Sequence, residues 1–157
     1  MGPAMREAAV LFVCLGNICR SPLAEAAFRA EAAMAGLAVL ADSAGTADYH
    51  VGEPPDPRAI RTAAQFGIDI SGYRGRQAKP VDFDRFTHIF ALDHANLAGL
   101  KRIAPKGHRA RLSLLLDLVP GREGTAVADP YYGEESGFQV TWEEVSEAAR
   151  NLVAQLR

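Results

Sequence analysis

The residue types able to do chemistry gather in one short stretch, Cys14-Leu15-Gly16-Asn17-Ile18-Cys19-Arg20-Ser21. A thiol, then an arginine with five residues between, then a hydroxyl, is a pattern suited to holding and attacking a tetrahedral oxyanion. If the stretch wraps between a strand end and a helix start, the backbone N–H groups of Leu15, Gly16, Asn17, Ile18 and Cys19 converge on one point. Such a nest binds an anion, and the positive end of the following helix adds to it. Arg20 can fork onto two oxygens of that anion. The same positive field favours thiolate, the nucleophilic form, over thiol at Cys14. Ser21 can donate to the sulfur when it becomes a leaving group. Taken singly, a buried cysteine is a small apolar residue and an arginine at a helix start is a solvated charge. The combination, with Gly16 inside and Ser21-Pro22 after it, points to chemistry.

Other phosphate and metal chemistries are excluded by what is missing. Neither G-x-G-x-x-G nor G-x-x-x-x-G-K occurs, so this is not a dinucleotide or nucleotide loop. Four residues separate Cys14 from Cys19 and no histidine lies nearby, which argues against zinc. His88, His94 and His108 lack metal-ligand spacing and read as structural or solvated. No metal and no cofactor is expected. An oxidised Cys14 could be captured by Cys19 as a reversible disulfide before sulfinic acid forms.

The elements that must position this loop follow from the pattern around it. Ala9 to Val13 is a continuous apolar run, as a strand buried on both faces requires. Ser21 reads as a helix N-cap with Pro22 at the first helical position. That helix should run to about Ala35 and stop at Gly36. Residues 39–43 form a second strand, and Pro54-Pro55-Asp56-Pro57 opens a helix that runs to Phe66. A third strand over 88–92, a helix over 94–103 and a weaker strand over 110–114 follow. Residues 121–133 are loop. Phe138, Trp142, Val145, Ala149, Leu152 and Leu156 recur at mostly three- and four-residue spacing along a helix from Ser136 to Arg157. Arg74, Arg76 and Lys79 read as a solvated loop face. Alternating strands and helices imply an α/β fold, a parallel sheet with helices on both faces. Its site should lie at the carboxyl ends of the strands, where Cys14 falls.

A chain of 157 residues suits a single domain, 1–157, with residues 1–8 as a flexible N-terminal extension. With 48% hydrophobic and 23% charged residues and a net charge of −2, nothing global attracts nucleic acid or an anionic membrane. The first residues lack the pattern of a secretory signal, and Arg6 stands where a myristoylation signal wants Ser or Thr. Two cysteines five positions apart do not make a disulfide framework. A cytoplasmic protein is expected.

The stretch from Val10 to Ala24 strongly resembles the low-molecular-weight protein tyrosine phosphatases. The likeness continues in Asp42-Ser43, Val51-Gly52, Pro55-Asp56-Pro57-Arg58-Ala59, Leu92-Asp93 with Asn96-Leu97, and Asp129-Pro130-Tyr131-Tyr132-Gly133. The resemblance implies a single-domain, three-layer fold around a four-stranded parallel sheet. It implies Cys14 as nucleophile and Arg20 with the loop amides as phosphate binder. Asn17, Ser21 and Ser43 match positions that hold the loop in shape. Asp129 matches the general acid, and Tyr131 and Tyr132 the aromatic wall of the cleft. A carboxylic acid placed there protonates the leaving oxygen, worth ~10²–10⁴-fold, and the carboxylate then activates water. The implied partners are a phosphotyrosine protein, a bacterial tyrosine kinase among the candidates, and inorganic phosphate as product. A monomer is expected, with a weak dimer left open.

Two departures from the family pattern stand out. Tyr49, followed by His50, occupies a cleft position that is often Trp in relatives. No histidine lies near Ser71-Gly72-Tyr73, where many relatives carry one in the network bracing the loop. Three rival readings remain. An arsenate reductase of the same fold needs further thiols around residues 80–95, and none is there. A phosphoarginine phosphatase tends to have Thr where this chain has Ile18. A non-catalytic phosphotyrosine-binding module would not need Cys14, Arg20 and Asp129 together.

Overall fold

The computed structural model describes residues 7–157, so the expected N-terminal extension lies, for residues 1–6, outside the described residues. Four strands form one parallel sheet: β1 (Ala9–Cys14), β2 (Leu40–Gly45), β3 (His88–Ala91) and β4 (Arg111–Leu114), in the order β2-β1-β3-β4. The connections carry α1 (Arg20–Met34), α2 (Pro57–Ala64), α3 (Asp82–Arg85) and α4 (His94–Ile103), and the chain closes with α5 (Ser136–Leu156).

β1 is central and fully buried, which is why its sequence is apolar without alternation. Its side chains nevertheless divide by period two. Val10, Phe12 and Cys14 join the core beneath α1, α2 and α5, whereas Ala9, Leu11 and Val13 join the core with Phe83, Ile89 and Leu100 on the other face. The sheet thus has helices on both sides, as expected. On α5, Phe138, Trp142, Val145, Ala149 and Leu152 are buried along one stripe, and Leu156 packs at its end.

Where the elements begin differs from the sequence expectation in informative places. α1 starts at Arg20, with Cys19 at its cap and no side-chain cap bond. Ser21 is therefore inside the first turn, and its hydroxyl is engaged by Cys14 and Asn17 rather than capping. α2 is capped by Asp56, which accepts from the Arg58 amide, and its helical turns end at Ala64, two residues short of the expected Phe66. α3 and a short 3-10 turn at Leu115–Leu118 were not expected. Both are four residues long, too short to show a period.

Candidate active site

The loop after β1 turns its carbonyls outward. Cys14 O accepts from the Thr46 amide at 2.9 Å, Leu15 O from Ala47 at 3.0 Å and Ile18 O from Asp56 at 2.9 Å. Among the described residues, the amides of Leu15, Gly16, Asn17, Ile18 and Cys19 donate to no protein acceptor. Carbonyls bonded outward and amides without a protein partner are the arrangement an anion nest requires, and α1 starts directly after it. The close turn needs small residues beneath it. A Cβ on Gly45 would lie 2.6 Å from Leu15 O. Asn17 takes the left-handed region at φ 59°, where its short polar side chain is tolerated.

Asn17 is also the brace of the loop. Its Nδ2 donates to Ser21 Oγ at 2.8 Å and its Oδ1 accepts from the Arg76 amide at 3.0 Å. Because Asn17 supplies a hydrogen to Ser21 Oγ, the Ser21 proton is available to Cys14 Sγ, 3.0 Å away. Ser21 Oγ also lies 3.5 Å from Ala44 O. Ser43, one residue back on β2, donates to Glu25 at 2.7 Å, and Glu25 accepts from Arg29 at 2.8 Å. Burial pushes the Glu25 carboxyl above its ordinary range, against the bonds from Ser43 and Arg29. Burial, then the nearby Glu25 carboxylate, pushes the Tyr73 hydroxyl above its ordinary pKa. This Glu25–Arg29 arrangement braces β2 in a chain with no histidine at 71–73.

Arg20 is 2% exposed. Its Nη1 donates to Asp93 Oδ2 at 2.8 Å and to Val127 O at 3.0 Å, while Nη2 stands 3.5 Å from Asp129 Oδ2. Burial works against its charge, but Cys14, Asp93 and Asp129 outweigh that and hold the guanidinium above its ordinary pKa. Asp93 follows β3 and serves twice, since its Oδ1 caps α4 through the Asn96 amide at 2.7 Å. Burial, then Asp56, pushes the Cys19 thiol well above its ordinary pKa. Cys19 is thus held as a thiol, the slower form for attack on an oxidised Cys14.

One cleft of about 160 Å³ unites nearly all the expected site residues: Cys14, Arg20 and Asp129 with the loop, and walls of Tyr49, His50, Tyr131 and Tyr132. His50 pairs with Glu53 and lies against Gly16, where an added Cβ would meet its ring at 2.9 Å. Asn17 and Ser21 bond across the loop, whereas the Ser43 hydroxyl bonds Glu25 of α1 and not the loop. Sequence reasoning left Glu25, Asp56, Arg58, Asp93 and Val127 without a role. Glu25 carried a readable signal, a carboxylate inside the apolar run Leu23-Ala24-Glu25-Ala26-Ala27-Phe28. Arg76 is a correction. It is not a solvated charge, because it bonds Asp42 at 3.0 Å and both oxygens of buried Asp82 at 3.1 Å. Arg74 and Lys79 are exposed, as expected. His88 stacks on Phe90 and His108 tilts against Phe83, so both are structural.

A family profile described as low molecular weight phosphotyrosine protein phosphatase matches residues 9–157. Low molecular weight phosphotyrosine protein phosphatase 2 of Drosophila melanogaster is 41% identical over 160 residues, covering 100% of this chain and 97% of the relative. A crystal structure of protein tyrosine phosphatase from Entamoeba histolytica, with Hepes in the active site, superposes with a TM-score of 0.89 at 35% identity. It covers 96% of this chain and 97% of that one. The structure of a drosophila arginine phosphatase gives a TM-score of 0.88 at 30% identity, covering 93% and 96%.

Proposed function

Since this chain belongs to the low molecular weight phosphotyrosine protein phosphatase family, we propose that it hydrolyses aryl phosphate monoesters, phosphotyrosine on proteins above all, through a phosphocysteine on Cys14. The observation that carries the proposal is the convergence of Cys14 Sγ, the inward amides, Arg20 and Asp129 on one cleft. The amides and Arg20 hold three phosphoryl oxygens and neutralise charge as it builds in the transition state. The Cys14 thiolate attacks phosphorus and the P–O bond to the phenol breaks. Asp129, protonated, gives its proton to the departing oxygen. In the second step Asp129, now a carboxylate, takes a proton from water as that water attacks phosphorus. The S–P bond breaks, the thiolate is stabilised by the Ser21 hydroxyl 3.0 Å away, and inorganic phosphate leaves.

The similarity to an arginine phosphatase keeps a second reading in view, in which the substrate is a phosphoguanidinium. Two features favour the phenol. Ile18 lines the cleft, and Tyr49, Tyr131 and Tyr132 offer it three aromatic rings, a slot suited to a flat ring. The protein substrates we propose include a tyrosine kinase carrying its own phosphotyrosines, met in the cytoplasm by a monomer. The two free cysteines suit such a reducing compartment.

The test replaces the nucleophile. Cys14→Ser should show no turnover of 4-nitrophenyl phosphate above background, while inorganic phosphate still binds through the amides and Arg20. More than a trace of activity in the variant would remove Cys14 from the mechanism.

A further inference from the structure

Asp129 has few direct supports. Its Oδ1 accepts from the Tyr131 amide at 3.1 Å and its Oδ2 approaches Arg20. What holds the segment around it comes from α2. Arg58 Nη2 donates to Tyr131 O at 3.0 Å and Nη1 approaches Gly133 O at 3.4 Å. The guanidinium lies 4.7 Å from the Phe138 ring centre and 5.5 Å from that of Tyr131. Its other edge is gripped by Asp56, with Nε to Oδ1 at 3.0 Å and Nη2 to Oδ2 at 2.9 Å. The Asp56 amide in turn donates to Ile18 O of the phosphate loop. A continuous path of short contacts therefore runs from the phosphate loop through Asp56 and Arg58 to Tyr131 and Gly133, which follow the acid in the chain.

We propose that Arg58 is a positioning residue for the general acid, setting where Asp129 stands relative to Cys14. The inference rests on the acid role of Asp129 proposed above and goes beyond it. The planar fork is essential to this role, because it binds one carboxylate on one edge and two carbonyls on the other. An ammonium is a single point charge and cannot span them. Arg61, one turn along α2, makes a salient contrast. It pairs with Glu135 at 2.6 Å, but both are about half exposed, and such pairs contribute little.

The test reads kcat/KM, which covers steps only through phenol departure, on phenyl phosphate and 4-nitrophenyl phosphate. Nitrophenolate leaves readily without a proton, so misplacing the acid harms the phenyl ester selectively. Arg58→Met should lose about 10-fold on phenyl phosphate, part of the ~10²–10⁴-fold a general acid supplies, and under about 3-fold on the nitrophenyl ester. Arg58→Lys should show the same selectivity more weakly, and Arg61→Ala should match the wild type. Inhibition by inorganic phosphate should be unchanged throughout, which shows a folded phosphate loop. In an Asp129→Asn background, Arg58→Met should cost less than about 2-fold, because positioning an absent acid has no value. Equal losses on both esters, full additivity with Asp129→Asn, or an Arg58→Lys variant as fast as wild type would each overturn the proposal. A flat response of Asp129→Asn itself would bring down the acid role, and the proposal with it.

Discussion

On the phosphate side of the cleft, Asn17, Arg20 and Ser21 are 4%, 2% and 0% exposed, and each is held by at least two polar contacts. On the acid side Asp129, Tyr131 and Tyr132 are exposed, Tyr132 at 92%. Three of the polar contacts there are Arg58 to two carbonyls and the Tyr131 amide to the Asp129 carboxylate. Both sides face the same 160 Å³ of space. The difference follows from the tasks proposed for them. Stabilising charge on phosphorus demands donors fixed beforehand in a water-poor setting, because reorienting them during reaction would consume the benefit. Proton delivery and recognition of the rest of a protein substrate need surface that water and substrate can reach.

With the nucleophile left in place, removing the buried cation should have the largest effect. Arg20→Ala is expected to lower kcat/KM by ~10³-fold or more, since deleting even one donor to a developing oxyanion costs ~10²–10³-fold. It also leaves Asp93 and Asp129 without their counter-charge. Phosphate inhibition should weaken in parallel. A loss under 10-fold would mean that the amides alone carry phosphate binding and that the contrast between the sides is overstated.

Asp129→Asn probes the exposed side. On a series of aryl phosphates of graded leaving-group pKa, kcat/KM should fall most for phenols near the tyrosine value of ~10, by at most ~10²–10⁴-fold. The nitrophenyl ester should fall least. Asparagine keeps the size and the bond from the Tyr131 amide, so the turn should survive. A uniform loss along the series would reduce Asp129 to a shaping residue.

The two sides were also unequally legible in the sequence. Cys14 to Ser21 is contiguous, and β1 before it is an unbroken apolar run, so the nest and its strand could be read directly. The bracing could not. Arg76 reaches Asn17 across 59 residues and Arg20 reaches Asp93 across 73, and no local period announces such pairs. Arg76 reads as a loop charge because Asp42 lies 34 residues away and Asp82, only 6 residues on, sits in a turn too short to show a period. Ser21 followed a sound local rule for N-caps that lost to a tertiary demand, the bond to Cys14. Asp129 and the tyrosines were found only through family likeness, since Asp-Pro alone is a turn signal. Arg58 stood inside a matched motif, yet its role emerges only once α2 and the acid segment are brought together.

The smallest expected effect lies behind the buried side, where α1 is tied to β2. Glu25 is 5% exposed and accepts from Ser43 and Arg29, so Glu25→Ala should cost about 1–3 kcal/mol by leaving the Ser43 hydroxyl without its acceptor. Glu25→Gln keeps an acceptor and serves as the sharper probe. Burial raises the carboxyl pKa in the folded protein, so the folded state holds that proton more tightly than the unfolded chain, whose value is ~4.3. As pH rises through the window between those two values, the wild type loses part of its stability, and above the folded value the loss is complete. Glutamine does not titrate. The stability of Glu25→Gln relative to wild type should therefore climb from about pH 4 upward and then level off. Urea unfolding of both proteins across pH 4 to 8 reads this directly. A difference that shrinks as pH rises would mean that the Arg29 pairing outweighs desolvation. Glu25 would then stabilise the buried side by its charge, rather than through the hydrogen bond to Ser43 alone.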